Sequence, residues 1–299
     1  MPATRTPWYQ RAEAGHDVGL WIVERVARLG GRRVAHAFVG LVAAYFWLAR
    51  GPERRASQQF LLRACGRPAG VFEGLRHFHT FAKVAVDRVF LFADRAGRIP
   101  MRVTGQQQME SVLRAGRGCI LLSAHFGSFE AARQAGLANP LLRLRMLLDR
   151  AVNQRLVARL ERLDPAFAAN ILDAAGEPTA LTLRIGESLA AGEWIGWLGD
   201  RHRGDERTVT ADFLGAPARF PASPFIIARL YKVPVFLILA GFDGEGYDVH
   251  VESLVDDAAL AEPARDAFVR AAVGRFVERL EHHVRRAPQN WFNFYDFWS

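Results

Sequence analysis

Lysine and cysteine are both scarce in this chain. Of its 39 basic residues only Lys83 and Lys232 are lysines, and the two cysteines, Cys65 and Cys119, are too few for a disulfide framework and too far apart for a metal clip. Such usage suits a reducing compartment, and Cys119, inside an apolar run, is expected to be a small core residue rather than a nucleophile. A G-x-S-x-G nucleophile elbow is also missing, which argues against an acyl-serine intermediate. The absence of a zinc finger, an RNA-binding signature or a basic groove-reading helix argues against nucleic acid as a partner. No apolar run reaches the roughly 20 residues that cross a bilayer as a helix. No cleavable signal peptide is expected either, because the first apolar run starts far in and no small-residue cleavage site follows it.

What is present in excess is arginine. The net charge of +8 and the pI near 10.2 rest almost wholly on it. Its planar fork matches phosphate geometry, so an anionic partner is expected: a phospholipid headgroup, a phosphorylated glycolipid or an acidic carrier protein. A biased genomic base composition produces the same excess. With 299 residues, half of them hydrophobic, the chain can bury a large core.

Residues 15–33 carry Leu20, Trp21, Ile22 and Val23 and then arginines at 25, 28, 32 and 33, an amphipathic pattern. Residues 34–49 follow as a largely apolar run closed by Arg50, too short for a straight span and interrupted by His36, so an interfacial or membrane-embedded helix is expected, with a core helix as the alternative. Gly51-Pro52 breaks the run, 53–62 reads as a helix, and 71–95 repeats apolar residues at three and four, a helix with an aromatic stripe. His77 and His79 lie two apart, a poor spacing for ligands on one helix face, and no metal is assigned. The expected division is a helical, membrane-associated extension over residues 1–60 and a catalytic α/β unit over 61–299.

The α/β unit is expected to be a central mixed, largely parallel sheet flanked by helices. Strands are expected in the apolar run that Gly118 opens before His125 and at 144–148, 168–172, 194–198, 233–242 and 247–254, with a turn at Asp243-Gly244-Glu245-Gly246, and helices from an entrance at Gly127-Ser128 to about 138 and at 178–191, 224–231 and 261–286. Residues 201–224, rich in charge, glycine and proline, read as a long functional loop. Three strands end in polar loops bearing His125, Arg150 with Asn153, and Asp200 with Arg201. Ligands bind at that edge of open α/β sheets, where loops are free of packing duties. His125 stands at the end of an apolar strand, and Glu130 follows five residues later. With 9 His and 31 acidic residues in 299, about one such pair arises by chance, so the strand before it and the helix after it carry the weight. An imidazole there can take a proton from an acceptor hydroxyl while a carboxylate fixes its tautomer. Ser123, on the same strand without an elbow, reads as structural.

His125-Phe126-Gly127-Ser128-Phe129-Glu130 resembles the H-x4-D/E motif of the lysophospholipid acyltransferase superfamily, and the chain from about residue 20 to 298 is similar to its bacterial lipid A biosynthesis acyltransferases. The ordered matches are Arg150 with Asn153, Gly199-Asp200-Arg201, Asp212-Phe213-Leu214-Gly215-Ala216-Pro217 and Phe220-Pro221. The resemblance implies His125 as general base with Glu130 as its orienting partner. Arg150, Asn153, Asp200, Arg201, Phe213 and Gly215 are then substrate-binding. It implies no resident cofactor, an acyl carrier protein or coenzyme A thioester as donor, a lipid or glycolipid hydroxyl as acceptor, and the cytoplasmic face of a bacterial inner membrane as the location. The aromatic ending, Trp291 to Trp298, departs from the Trp-then-His-Arg-Arg tail of true lipid A enzymes and looks more like a branch associated with aryl polyene or related lipids. It is expected to dock on the protein or lie in a headgroup layer. A thioesterase or lipid hydrolase using the same pair, a non-catalytic membrane or carrier-protein module, and a basic nucleic-acid binder are the rival readings.

Overall fold

A strand buried on both faces has no need of polar alternation, and Cys119–Ser123, apolar through its first four residues, is buried at every one of its five positions. The computed structural model describes residues 17–92, 99–137, 139–202, 204, 206–262 and 264–298. Its strands are β1 (Met101–Thr104), β2 (Cys119–Ser123), β3 (Leu144–Leu148), β4 (Ile171–Asp173), β5 (Trp194–Leu198), β6 (Thr208–Phe213), β7 (Ala216–Pro221), β8 (Val235–Phe242) and β9 (Tyr247–Val255). Seven form one sheet in the order β1-β9-β8-β2-β5-β3-β4. All its neighbours pair in parallel except β8 with β9, which the Asp243-to-Gly246 turn joins as a hairpin. The helices are α1 (Asp17–Ala49), α2 (Gly51–Cys65), α3 (Val71–Phe92), α4 (Gln107–Arg114), α5 (Phe129–Leu137), α6 (Gln154–Leu163), α7 (Pro165–Ala169), α8 (Pro178–Ala190), α9 (Ser223–Tyr231), α10 (Asp257–Leu260) and α11 (Arg265–Arg286). The fold is therefore the expected α/β class, a mixed and mostly parallel sheet flanked by helices.

Strand alternation divides the core. Ile120, Leu122 and Ala124 join a cluster with Phe60 of α2, Ile185 of α8, Phe225 of α9 and Phe276 of α11. Cys119 and Leu121 turn the other way, to Val39 of α1, Val89 and Leu91 of α3, Leu113 of α4 and Ala131 of α5. A period of two thus puts one helical layer on each side of β2.

Two expectations are corrected. Residues 201–224 are not a loop throughout: β6 and β7 pair as an antiparallel ribbon around Leu214 and Gly215, whose φ values of 53° and 77° match the two-residue turn that suits strand twist. The prolines that obscured it, Pro217 and Pro221, lie in a two-stranded ribbon, where one side of each strand needs no ladder donor. The strand expected at 168–172 is only Ile171–Asp173, because Asp164 accepts from the Phe167 amide and Pro165 opens α7, which takes in Ala168 and Ala169. The short β1 and α4 were not anticipated. The end of the helix expected to reach residue 95 lies outside the described residues.

The N-terminal helices are tied down by two buried polar groups. Asp87 of α3, fully buried, accepts from Arg32 at 2.7 and 2.8 Å, binds His36 at 2.7 Å and accepts from the Tyr247 hydroxyl at 2.9 Å, so one carboxylate joins α1, α3 and β9. Along α1, after non-helical geometry at Gly31, Ala35, Val39, Ala43 and Trp47 face inward, while Val34, Leu41, Tyr45 and Leu48 form an exposed apolar stripe. No single helix among the described residues is long and apolar enough to cross a membrane. His77 of α3 is the second tie: its Nε2 donates to the Trp291 carbonyl at 3.0 Å, which leaves Nδ1 to accept from the Ser57 hydroxyl at 2.8 Å.

Burial pushes the His77 pKa down to about 4 from 6.5. The unfolded chain binds the extra proton first, so this contribution to stability is complete above pH 6.5 and is lost as pH falls toward 4, by about 3 kcal/mol. Urea unfolding from pH 7 to 4 is expected to show a shallower decline in His77→Gln, whose amide can make both hydrogen bonds without titrating; equal slopes would contradict it.

Candidate active site

The register of two adjacent parallel strands builds the site. Ser123 of β2 pairs with Leu198 of β5, so two residues further on His125 comes abreast of Asp200. The approach needs a glycine: a Cβ on Gly199 would lie 2.6 Å from the Leu122 side chain, and the Gly199 amide donates to the Ser123 carbonyl at 2.8 Å. Past His125 the chain turns sharply at Gly127, with φ of 59°, where a Cβ would come within 1.7 Å of the Ala240 carbonyl oxygen. Only glycine fits both the conformation and the space. Ser128 then caps α5, its hydroxyl accepting from the Ala131 amide at 3.1 Å.

Asp200 is wholly buried and takes three donors. Its Oδ1 accepts from His125 Nδ1 at 2.8 Å, and its Oδ2 accepts from the His125 amide at 3.1 Å and from the Trp291 indole at 3.0 Å. These bonds and the Arg201 charge hold its carboxyl well below the usual range despite burial, so it is ionised. An ionised carboxylate only accepts, which fixes the His125 proton on Nδ1 and leaves Nε2 as the basic nitrogen. The imidazole is 30% exposed. Desolvation and the positive charges of Arg201 and Arg88 lower its pKa against the upward pull of Asp200, so the ring is neutral at pH 7.

The carboxylate on the ring is therefore Asp200, and the contact expected from Glu130 is not made. Glu130 lies in the first turn of α5, accepts from the Ser128 hydroxyl at 3.0 Å and pairs with Arg88 of α3 at 3.0 Å. Backbone direction explains this, since the turn at Gly127 carries the chain from the sheet into α5 while β5 delivers Asp200 alongside the ring.

His125 lines a cavity of about 360 Å³ whose walls are mostly apolar: Leu147 of β3, Leu181 and Ile185 of α8, Trp197 of β5 and Ile227 of α9. Asn153 and Arg201 line it with His125. Asn153 donates to the Asp149 carbonyl at 2.9 Å, and Arg201 donates to the Phe292 carbonyl at 2.7 Å with its guanidinium 5.1 Å from the Tyr295 ring centre. The other three sequence candidates lie elsewhere. Arg150 turns away to Glu161 at 2.6 Å. Phe213 is fully buried against Trp291 and Phe220, and Gly215 sits in the β6–β7 turn. Neither lines the cavity, because pairing of β6 with β7 turns Phe213 into the core and leaves the turn outside.

Ser123 is structural, its hydroxyl donating to the Ile238 carbonyl at 2.7 Å, and Cys119 is buried with its thiol pushed up by desolvation, well away from thiolate chemistry at neutral pH. The residue that sequence reasoning missed is Trp291. Its only signal was an ending too aromatic to be left in water, and that ending does dock on the protein: Phe126 bridges to Trp291, and the Phe292 amide donates to the His125 carbonyl at 2.8 Å.

No curated protein matches the chain significantly. The family model for bacterial lipid A biosynthesis acyltransferases matches residues 76–299, from α3 through the C-terminal segment that meets Asp200, and the chain belongs to that family.

Proposed function

We propose that this family member, a lipid acyltransferase by kinship, moves an acyl group from an acyl carrier protein or coenzyme A thioester to a hydroxyl of a lipid or glycolipid at the cytoplasmic face of a bacterial inner membrane. The observation that carries the reading is a neutral imidazole, fixed through Nδ1 to a buried carboxylate, on the wall of a largely apolar cavity.

In the proposed reaction His125 Nε2 takes the proton of the acceptor hydroxyl as its oxygen attacks the thioester carbonyl carbon. The tetrahedral oxyanion collapses with loss of the thiolate, which takes the proton back from the imidazolium, and ester and free thiol are the products. Asp200 stabilises the imidazolium, and no acyl-enzyme is needed. Arg201 carries the positive charge on the cavity wall with which to polarise the carbonyl, and Asn153 is a neutral donor on the same wall. The apolar walls suit the hydrocarbon part of an acyl chain. The stripe of Val34, Leu41, Tyr45 and Leu48, with Arg33 and Arg50 exposed at its ends, suits an anionic bilayer surface.

Thiol release from carrier-protein and coenzyme A thioesters, measured with and without a total lipid extract, is expected to depend on lipid and to fall at least roughly 100-fold in His125→Ala. Release without lipid would make the protein a hydrolase, and an unimpaired His125→Ala would sink the base assignment. Because Asp200 rather than Glu130 is hydrogen-bonded to the ring, Asp200→Asn is expected to lose more kcat than Glu130→Gln. The reverse order would return the orienting role to Glu130. The acid limb of kcat/KM is expected to fall below pH 6.5, since the imidazole's pKa is lowered and activity is lost only once it protonates; a limb above that value would contradict the charge arrangement.

A further inference from the structure

We propose that Trp291 is a positioning residue for the transfer reaction, its indole N–H fixing the Asp200 carboxylate in the orientation that holds His125. This rests on the reading of His125 as general base.

The terminal torsion of an aspartate is soft and two-fold, so a carboxylate held at one oxygen can swing out of the plane of its partner. Asp200 is held at both. Two of its donors belong to His125 itself, its amide and its Nδ1, and the third is the Trp291 indole at 3.0 Å on Oδ2. The Arg201 guanidinium is further off, with Nε 4.0 Å from Oδ2. An indole nitrogen only donates, so this contact has one polarity and favours the ionised acid.

Trp291 is itself held on every side. Its ring is fully buried, with the rings of Phe60, Phe213 and Phe297 centred 5.0, 5.1 and 4.9 Å away. Its carbonyl accepts from His77, and the next residue pairs with the His125 carbonyl. Two adjacent residues of the C-terminal segment, Trp291 and Phe292, thus bond the base's carboxylate and the base's own carbonyl. A buried indole N–H needs an acceptor, and Trp291 gives its single side-chain donor to the carboxylate that holds the base.

Loss of the indole leaves the carboxylate's charge less dispersed, which stabilises the imidazolium and raises the pKa of His125. The other groups bearing on the ring, Arg201 beside Asp200 and Arg88 from α3, stay in place, as do Glu206 on the cavity wall and Tyr295 under Arg201. His283 of α11 faces the neighbouring Phe126 ring and bonds Glu252 through its Nε2.

The test is the pH profile of full-length Trp291→Phe beside that of the wild type, with thermal unfolding as a check of folding. The expected result is a kcat loss of about 10-fold, a fraction of the roughly 100- to 10,000-fold that a general base supplies, with KM unchanged and the acid limb moved to higher pH. A second readout needs no active variant. In 15N-labelled wild type, the Trp291 indole N–H resonance, identified by its absence in Trp291→Phe, is expected to shift as His125 titrates and to lose that titration in His125→Ala. A folded Trp291→Phe with the wild-type acid limb, or an indole resonance indifferent to His125, overturns the role of Trp291. An active His125→Ala would instead overturn the base assignment beneath it.

Discussion

A negative charge buried among hydrophobic groups must be surrounded by donors or it does not stay charged. Asp200 is that charge, and much of the architecture around it can be read as its solvation. Three separate parts of the chain meet there: the end of β5 that carries it, the end of β2 that brings both donors of His125, and the C-terminal segment that brings the Trp291 indole. None of these is near another in sequence. The central sheet supplies the alignment, because pairing of β2 with β5 fixes the height of His125 against Asp200, and Gly199 lets the two strand ends close up. The carboxylate therefore reports on the whole fold: whatever loosens the register or frees the tail also leaves a buried charge short of a donor.

Much of this was legible in the sequence, for a physical reason. Short apolar runs such as those of β2, β5 and β8 read as buried strands, and a polar residue just beyond such a run sits at the sheet's ligand-binding edge; that placed His125, Asp200 and Arg201 at one edge. Which carboxylate meets the ring was not legible. Glu130 is near His125 along the chain and Asp200 is not, but nearness in sequence counts for little where the backbone turns sharply, as it does at Gly127. Strand order decides the matter: β5 pairs directly with β2, with β3 and β4 beyond it. The β6–β7 ribbon was hidden by its prolines, which argue against a strand in a sheet interior but not in a two-stranded ribbon. Hence Phe213 and Gly215, grouped with the site by sequence, separate from it in space.

Glu130 still has work that depends on its spacing from His125. At the start of α5, accepting from Ser128 and pairing with Arg88, it anchors the helix that follows the turn and draws an arginine of α3 toward the sheet edge. That arginine bears electrostatically on His125. Through Arg88, a residue that never touches the ring bears on how readily the ring takes a proton.

A base for hydroxyl groups faces opposing demands. It must be unprotonated when the substrate arrives, yet its protonated form must be stable enough to exist in the transition state. A carboxylate alone meets the second demand at the expense of the first, because it raises the pKa of its partner. Here desolvation and two arginines, Arg201 and Arg88, pull the imidazole back down, while Asp200 stays ionised against it. In the proposed reaction the positive charges that lower the imidazole's pKa also suit an anionic substrate, and removing either arginine would disturb the proton balance of His125.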